Sequence, residues 1–215
     1  MAKTPKGERT RAQIFAAATE IIAEAGLEGA TMRAIAERAG VSTGAAYHYI
    51  RSKDELVLAL YARTQESLEA HAQLVAEAGG DLTQRLTAML WGGLLVLAPQ
   101  RELLGRLAAA VLVPGSPLSP FAPETIEIRK QAIENFRVAL GPHDENRIAE
   151  LAWMAWMAVI LYWLNDRSEG QEATQALIDA SVPTLVHAMP LFGGMLFEFA
   201  AIAERGLLGA PDPGV

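Results

Sequence analysis

The chain has 215 residues, of which 51% are apolar, with 18 Lys and Arg residues against 25 acidic residues and no cysteine. This apolar content is too high for a disordered chain, and the lack of cysteine excludes a disulfide scaffold, a cysteine-ligated zinc finger, an iron–sulfur site and a thiol nucleophile. The net charge of −7 argues against indiscriminate polyanion binding, for which basic residues would have to outnumber acidic ones.

The apolar segments predict a cytoplasmic protein without a membrane span. No apolar stretch follows the basic residues near the N-terminus, so this segment is not typical of a secretory signal. The longest apolar run, residues 151–164, is shorter than the roughly 20 residues that a span needs and predicts a buried helix. Residues 180–197 contain no Asp, Glu, Lys or Arg, which leaves a membrane-surface role open, although prolines and a Gly-Gly pair interrupt them.

The helical spacing of apolar residues predicts an all-α fold of about nine or ten helices. The first helix has its apolar face between Ile14 and Ala25 and is expected to end in a left-handed cap at Gly26. Thr31 is the expected N-cap of a short second helix over residues 32–39.

Further caps divide the next segment. Ser42 is expected to cap a third helix that reaches about Ile50. The S-x-x-E capping box that begins at Ser52 predicts the start of a long fourth helix, which extends to Glu77. The pair Gly79-Gly80 then interrupts the helical pattern.

The remaining helices are predicted between glycine and proline breaks, at 81–98, 100–112, 124–140, 144–165, 172–189 and 195–205. Capping boxes are expected at Asp81 with Gln84 and at Ser168 with Gln171, and a kink is expected at Pro183. Residues 113–123 hold four prolines and form the long loop, which could be a pocket lid or only a connector.

The charge is unevenly distributed along the chain. Residues 1–55 carry eight Lys and Arg against seven acids, a net charge of +1, whereas the rest of the chain carries −8. The stretch from Arg38 to Lys53, both included, carries three basic residues and no acid. This asymmetry predicts a small N-terminal module with its own partner, and both this stretch and the basic N-terminus could meet phosphate.

The segment Thr31–Leu56 has the spacing of a helix-turn-helix. Gly40 lies in the turn, where a residue that tolerates positive φ is needed. The helix after the turn begins with small polar residues and continues with aromatic ones. This order suits a recognition helix, because its N-terminal end enters the major groove.

The residues ATEIIAEAGLEGATMRAIAERAGVSTGAAYHYIRSKDEL contain the motifs G-x-x-x-x-T, I-A-x-x-A-G-V-S and K-x-E-L in order. Over residues 10–60 the chain resembles the DNA-binding domain of the tetracycline-repressor (TetR/AcrR) family of bacterial transcription regulators. One departure is Ile50, where the family usually has phenylalanine, another buried apolar residue. The later stretch YWLNDRSEGQEATQALIDASVPTL resembles, more weakly, the end of the dimer-forming region in one branch of the family.

The resemblance implies an all-helical dimer in which three N-terminal helices bind DNA. It gives a helix-turn-helix domain over residues 1–52, an effector-binding and dimerisation domain over 53–209 and a flexible tail over 210–215. The implied function is that of a regulator and not an enzyme. It would be a repressor that binds a palindromic double-stranded operator as a homodimer and is released by an unidentified small apolar effector, with no other cofactor and no membrane partner.

The resemblance also implies which residues meet DNA: Thr31, Arg33, Ser42, Thr43, Gly44, Ala45, Tyr47, His48, Tyr49 and Lys53. The first two would lie against backbone and groove, those of the third helix would face bases and phosphates, and the lysine would hold a phosphate. Taken alone, the tyrosines could be boundary aromatics, and the histidine and the lysine could be solvated groups.

The apolar run 151–164 has no polar face, so its helix must be covered on both sides. A second subunit could cover one side, and burial inside a monomer is the alternative. The residues expected at a dimer interface are Trp156, Ile160, Trp163, Leu177, Ala180 and Leu185.

An effector pocket is expected to be mostly apolar. Its candidate lining residues, which would also suit an ordinary core, are Met89, Trp91, Leu95, Leu103, Leu107, Trp153, Met154 and Met157. The pair Gly92-Gly93 inside a helix is explained either by close helix packing or by room for a ligand.

Two other classes of protein stay open from the residues alone. One is a helical small-molecule-binding protein or enzyme in which the N-terminal helices are structural only, and the other is a helical interaction protein that does not bind DNA. The helix-turn-helix spacing argues against both. His71, His143 and His187 lack the spacing of metal ligands, so no metal site is expected.

Overall fold

The computed structural model describes residues 5–113, 115–144 and 148–208, and within these ranges the chain is helical without strands. The described helices are α1 (Pro5–Gly29), α2 (Met32–Arg38), α3 (Thr43–Tyr49), α4 (Lys53–Ala78), α5 (Leu82–Leu97), α6 (Arg101–Val111), α7 (Ile126–Leu140), α8 (Ile148–Asn165) and α9 (Glu172–Leu208). Short 3₁₀ turns lie before α6, α7 and α9 and after α7. The all-α prediction is confirmed.

The predicted caps of the first short helices are present. The Thr31 hydroxyl accepts a hydrogen bond from the amide of Ala34 at 3.1 Å, and the Ser42 hydroxyl accepts one from Ala45 at 3.2 Å. Gly40, in the turn between the two helices, has a φ of 68°, as the motif requires. These contacts stay within a few residues, which is why the sequence predicts them.

The capping boxes differ in completeness. The box of Asp81 and Gln84 is complete, with both hydrogen bonds at 2.9 Å. The Ser52 hydroxyl accepts from the amide of Glu55 at 3.0 Å, but the Glu55 carboxylate accepts from the amide of Arg51 and not from that of Ser52. The box predicted at residues 168–171 is wrong, because those residues form a 3₁₀ turn instead.

Two helix boundaries also differ from the prediction. Gly26 has a φ of 71° and a ψ of 179°, so it interrupts α1, which resumes for one turn and ends at Gly29. The two helices predicted at 172–189 and 195–205 form the single helix α9. α9 continues through Pro183 and Pro190, although a proline inside a helix removes one amide donor and usually kinks or ends the helix. The predicted tail, 210–215, lies outside the described residues.

The described chain divides into two compact units. One contains the residues up to Ala62 together with Gln100–Glu124, and the other contains Arg63–Pro99 and the residues from Thr125 onwards. The predicted boundary after residue 52 therefore differs from this division. The first turns of α4 and the whole of α6 belong with the N-terminal helices, because they bury apolar side chains in the same core.

The first unit has an apolar core. α1 packs against α2 and α6, and α2 packs against α3. On α1 the side chains of Ile14, Ala18, Ile21 and Ile22 are buried, whereas Ala25 is exposed. The other helices and the proline-rich loop add buried residues to this core, including Ile35, Ala36, Ala46, Ile50, Leu56, Leu103, Leu107 and Leu118.

The second unit packs α5, α7, α8 and α9 against one another. Its core holds polar side chains as well as apolar ones. Arg85 donates from Nε to the carbonyl of Gly80 at 3.0 Å and from a guanidinium nitrogen to the carbonyl of Ala139 at 2.8 Å. These bonds join the turn before α5 to the end of α7, and they satisfy carbonyl groups that a helix end leaves open.

A second polar cluster lies around Arg137 in α7. Its guanidinium donates to Glu134, to Asp144 at 3.2 Å and to Glu150 at 2.9 Å. The side chain of Glu150 is fully buried, and only one of its carboxylate oxygens has a hydrogen-bond partner among the described residues. Burial of this carboxylate depends on the arginine, because an unpaired buried charge is strongly unfavourable.

Candidate nucleic-acid interface

The helix-turn-helix is built on a small set of buried residues. Ile35 and Ala36 of α2, Ala46 of α3 and the following Ile50 are all at most 1% exposed. Val41 in the turn is half-buried and packs against the same core. This arrangement fixes which face of α3 points away from the unit.

The outward face of α3 consists of Thr43, Gly44, Tyr47 and His48, which are all exposed. Positions separated by three or four residues share one face of a helix, so these four form a continuous surface. Tyr47 is 52% exposed although it is a large aromatic residue. Ala45 is half-buried at the edge of this surface.

Tyr49 has a different position from the other predicted contacts. It is half-buried and packs against the apolar core of the first unit. Its ring makes an edge contact with the ring of His48, with centroids 5.3 Å apart and an interplanar angle of 82°. Tyr49 therefore supports the exposed histidine beside it.

The predicted contacts at the helix starts are exposed as well. The hydroxyls of Thr31 and Ser42 accept hydrogen bonds from the helix amides, and both residues remain open to solvent. Arg33, in the first turn of α2, is also exposed. These residues and the outward face of α3 belong to one structural unit.

The basic stretch between Arg38 and Lys53 is less available than its charge suggests. The Arg38 guanidinium donates two hydrogen bonds to Glu24, at 3.0 and 2.9 Å, and one to Glu20 at 3.4 Å. These bonds raise the pKa of Arg38 and hold the pKa of Glu24 below its usual range. Arg38 thus joins α2 to α1, which the sequence did not predict.

Lys53 and Arg51 differ although they are two residues apart. The half-buried Lys53 donates from Nζ to the carbonyl of Leu27 at 3.0 Å and to that of Glu28 at 3.2 Å. Arg51, which is not among the predicted DNA contacts, is exposed, and its guanidinium has no ion pair among the described residues. The predicted phosphate contact of Lys53 stays a prediction.

The basic N-terminus is partly helical. Arg9 and Arg11 lie within α1, and the Arg11 guanidinium is positioned over the ring of Phe15, 5.4 Å from its centroid. Lys3 lies outside the described residues. The cations of this stretch that the structure describes therefore belong to a folded element.

The predicted effector-pocket residues belong to two different units. Leu103 and Leu107 are at most 3% exposed in the core of the first unit, because α6 packs on α1. The other six are in the second unit. Of those six, Met89 and Trp153 are buried, Leu95 is 59% exposed, and Trp91, Met154 and Met157 are half-buried.

Close packing accounts for Gly92 and Gly93. A Cβ atom at Gly93 would lie 3.0 Å from Cη2 of Trp156, and one at Gly92 would overlap the ring of His71. The space at these two glycines is thus filled by side chains of the same unit.

The predicted dimer-interface residues also separate into two groups. Trp156 and Trp163 are 4% and 1% exposed within the single chain, because the neighbouring helices already cover them, so they are core residues. Ile160 is half-buried. The outward residues are on α9: Leu177, Ala180 and Leu185 are exposed, with Leu185 at 57%.

The length and composition of one described helix, α8, would allow it to cross a membrane. Nearly half of it is buried inside the protein. Its fully buried Glu150 is ion-paired with Arg137, and Trp153, Trp156 and Trp163 are all buried. These are features of a core helix, as the sequence predicts.

Comparison with known proteins decides the family. Residues 14–60 match the model of bacterial regulatory proteins of the tetR family, and residues 85–193 match that of tetracyclin repressor-like C-terminal domains. The chain belongs to the tetR family. The TetR assignment made from the sequence is therefore confirmed, and the matched N-terminal residues contain the whole of α2 and α3.

The relatives of this TetR-family chain include transcription repressors. The chain is 31% identical over 183 residues to the HTH-type transcriptional repressor KstR of Mycolicibacterium smegmatis, covering 82% of this chain and 86% of the relative. It is 30% identical over 183 residues to KstR of Mycobacterium tuberculosis, covering 82% and 80%. A TetR transcriptional regulator from Rhodococcus sp. RHA1 shares the fold with a TM-score of 0.59 at 20% identity, covering 84% and 97%.

Family membership and the exposed α3 face lead to the same conclusion. The protein is a TetR-family DNA-binding regulator of transcription, as the sequence predicts. The residues that the sequence placed on the recognition helix lie on one surface, apart from the half-buried Ala45 and Tyr49.

Proposed function

We propose that the protein is a homodimeric repressor that binds a palindromic DNA operator in the cytoplasm and is released by a small apolar effector. The observation that carries the DNA-binding part is the outward face of α3, where four exposed residues lie on the capped second helix of the helix-turn-helix. Repression is supported by the KstR relatives, which match most of this chain and are named repressors.

The side chains on the outward face of α3 suit direct contact with base edges, because they let the helix come close to the DNA. Gly44 has no side chain, and a Cβ atom there would meet nothing within 4 Å, so the α3 backbone can come close to the floor of the groove. Thr43 and His48 supply hydrogen-bonding groups to bases or phosphates, and the Tyr47 hydroxyl can reach a phosphate. Arg33 adds a charge at the start of α2.

A two-fold dimer would present two such surfaces. Leu177, Ala180 and Leu185 of α9 are exposed, as is Tyr162 of α8, and these residues form the surface that we propose for the partner. Apolar side chains on the outward faces of adjacent helices gain stability when a second copy removes them from water. Two recognition helices would then fit successive major grooves.

The effector is proposed to bind the second unit. Trp91, Met154 and Met157 are half-buried there and give it adaptable apolar surface. An effector can release DNA only through its different affinity for the two conformers, so its binding must weaken operator binding reciprocally.

The test uses the intergenic DNA that flanks the gene. Specific binding whose affinity falls steeply between two salt concentrations supports the proposal, because phosphate contacts release counterions. A lack of binding to any duplex at low salt would overturn it. Thr43→Ala is expected to change the preference among operator variants, whereas Thr83→Ala in α5, a half-buried position outside the helix-turn-helix, should not.

Two further measurements test the partner claims. Light scattering at micromolar concentration should give the mass of a dimer, and a monomer would contradict the proposed interface. A ligand screen by thermal shift, with loss of operator binding as a second readout, should identify the effector class. Ligands that stabilise the protein without releasing DNA would argue against the release mechanism.

A further inference from the structure

The Lys53 ammonium connects two elements on either side of the helix-turn-helix. It lies at the first residue of α4 and donates to the carbonyls of Leu27 and Glu28, at 3.0 and 3.2 Å, in the last turn of α1. The residues between these positions contain the whole of α2, the turn and α3. The contact therefore joins the two chain segments that flank the helix-turn-helix, the end of α1 and the start of α4.

The electrostatics of the two helix ends explain this contact. A cation at the start of α4 is disfavoured by the positive end of the helix dipole, but the end of α1 offers carbonyl groups and the negative end of a dipole. Gly26 adopts a conformation that L-residues rarely adopt, with φ 71° and ψ 179°. This interruption sets the last turn of α1, whose carbonyls the lysine binds.

The contact uses most of the donor capacity of the lysine. An ammonium group has three N–H donors, and two of them have acceptors within the protein. Lys53 is also half-buried. Its position is thus that of a residue that holds the protein together, with one donor left.

Arg51 offers the opposite environment two residues earlier. It is exposed in the short connection between α3 and α4, and its guanidinium has no ion pair within the described residues. Its backbone amide donates to the Glu55 carboxylate at 2.8 Å, which fixes the connection while the side chain stays open. A planar guanidinium is well suited to phosphate.

We propose that Lys53 is a positioning residue, which holds the start of α4 on the end of α1 and so sets the orientation of α3, and that Arg51 contacts the DNA phosphate at this junction. This inference rests on the proposed DNA-binding function. It assigns opposite roles to two neighbouring cations, so the two can be separated by experiment.

The experiment compares Lys53→Met with Arg51→Gln and includes Lys53→Arg as the conservative variant. Binding is measured by titration at several salt concentrations to two duplexes. One is the intergenic fragment that the wild-type protein binds specifically, and the other is a shuffled duplex of equal length and base composition. Circular dichroism at the assay temperature checks that each variant is folded.

Lys53→Met is expected to weaken binding to the intergenic fragment about tenfold while affinity for the shuffled duplex and the salt slope stay as in wild type. Non-specific binding depends on charge, whereas specific binding needs α3 in the correct orientation. Lys53→Arg should restore most of the specific affinity. A purely structural role would lower the melting temperature without changing the ratio of specific to non-specific affinity in the folded protein.

Arg51→Gln is expected to weaken binding to both duplexes and to reduce the magnitude of the salt slope by about 0.9 for each protomer. The inference is overturned if Lys53→Met, and not Arg51→Gln, changes the slope, or if Lys53→Met leaves the affinity ratio unchanged. If Lys53→Met does not fold, Lys53→Gln takes its place in the comparison. Independently of that variant, an unchanged salt slope in Arg51→Gln refutes the phosphate contact of Arg51. Failure of the wild type to bind DNA would instead refute the proposed function.

Discussion

The two units of the protein use polar side chains in different ways. In the first unit the buried cluster is apolar, and the charged residues Arg38 and Lys53 act at its surface, where they join helices. The buried polar and charged residues of the described chain all belong to the second unit: Arg85, Thr125, Arg129, Asn135, Glu150, Asp166 and Thr174.

The two units are therefore specified by different kinds of interaction. The helices of the first unit are defined by caps and turns that act over a few residues, and the outward face of α3 remains exposed. The second unit depends on hydrogen bonds between residues far apart in the chain, such as Arg85 with Ala139. Substitutions that remove a polar contact should therefore cost more in the second unit than in the first.

The largest effect is expected from Arg137→Ala, which leaves the buried Glu150 carboxylate without its cation. We expect a loss of about 3 kcal/mol in the free energy of unfolding of the second unit. Denaturant titration followed by tryptophan fluorescence measures it. The control is Lys130→Ala, which breaks an exposed pair with Glu127 and should cost less than about 1 kcal/mol. Equal losses would contradict the role of burial.

A marked effect with a defined pH dependence is expected at Asp166. Its carboxylate accepts hydrogen bonds of 2.6–2.9 Å from the hydroxyl and amide groups of Ser168 and Thr174, which hold its pKa well below the usual range. Since the folded pKa is depressed, the carboxylate stabilises the fold above about pH 4, and this contribution is lost as the pH falls further.

Asp166→Asn should therefore lower the denaturant midpoint near pH 7 and have a smaller effect near pH 3. The exposed Asp179→Asn within α9 is the control and should change neither value. An Asp166→Asn effect that is independent of pH would show that the charge of the carboxylate is not what stabilises the start of α9.

A smaller effect, of opposite sign in the two units, is expected from glycine-to-alanine changes. Gly93→Ala places a Cβ atom against Trp156, which is buried and in contact with Phe136, so we expect a loss of about 1–3 kcal/mol. Gly105→Ala in α6 meets open space and should gain up to about 1 kcal/mol through helix propensity. Thermal melts of both variants test the pair. A higher melting temperature for Gly93→Ala would show that Trp156 can move to accommodate the added methyl group, and would contradict the prediction.

The smallest effect is expected in the first unit from Thr31→Ala, which removes the N-cap of α2 and should cost about 1 kcal/mol. The exposed Thr43 makes no cap, so Thr43→Ala should cost less in the same thermal melt. If the two substitutions cost the same, the hydroxyl of Thr31 does not stabilise α2.

Much of the first unit could be predicted from the sequence. The caps Thr31 and Ser42, the turn at Gly40 and the outward face of α3 all follow from local rules, and the structure agrees with them. The roles of Arg38 and Lys53 could not be predicted, because their partners are 14 to 26 residues away in the chain.

Less of the second unit could be predicted. The sequence correctly made α8 a core helix, but it placed Trp156 and Trp163 at a dimer interface when the chain buries both by itself. It also assigned Leu103 and Leu107 to the effector pocket, although α6 belongs to the first unit. An apolar pattern shows that a side chain is buried and does not show which element covers it.

The helices, most of their caps and the family of the protein follow from the sequence alone, because they depend on residues within a few positions or on one continuous motif. Which cations are held by partners within the protein, and which core each apolar residue enters, depend on the tertiary structure. Pairings such as Lys53 with the end of α1, or Arg137 with Glu150, exist only after distant helices have packed.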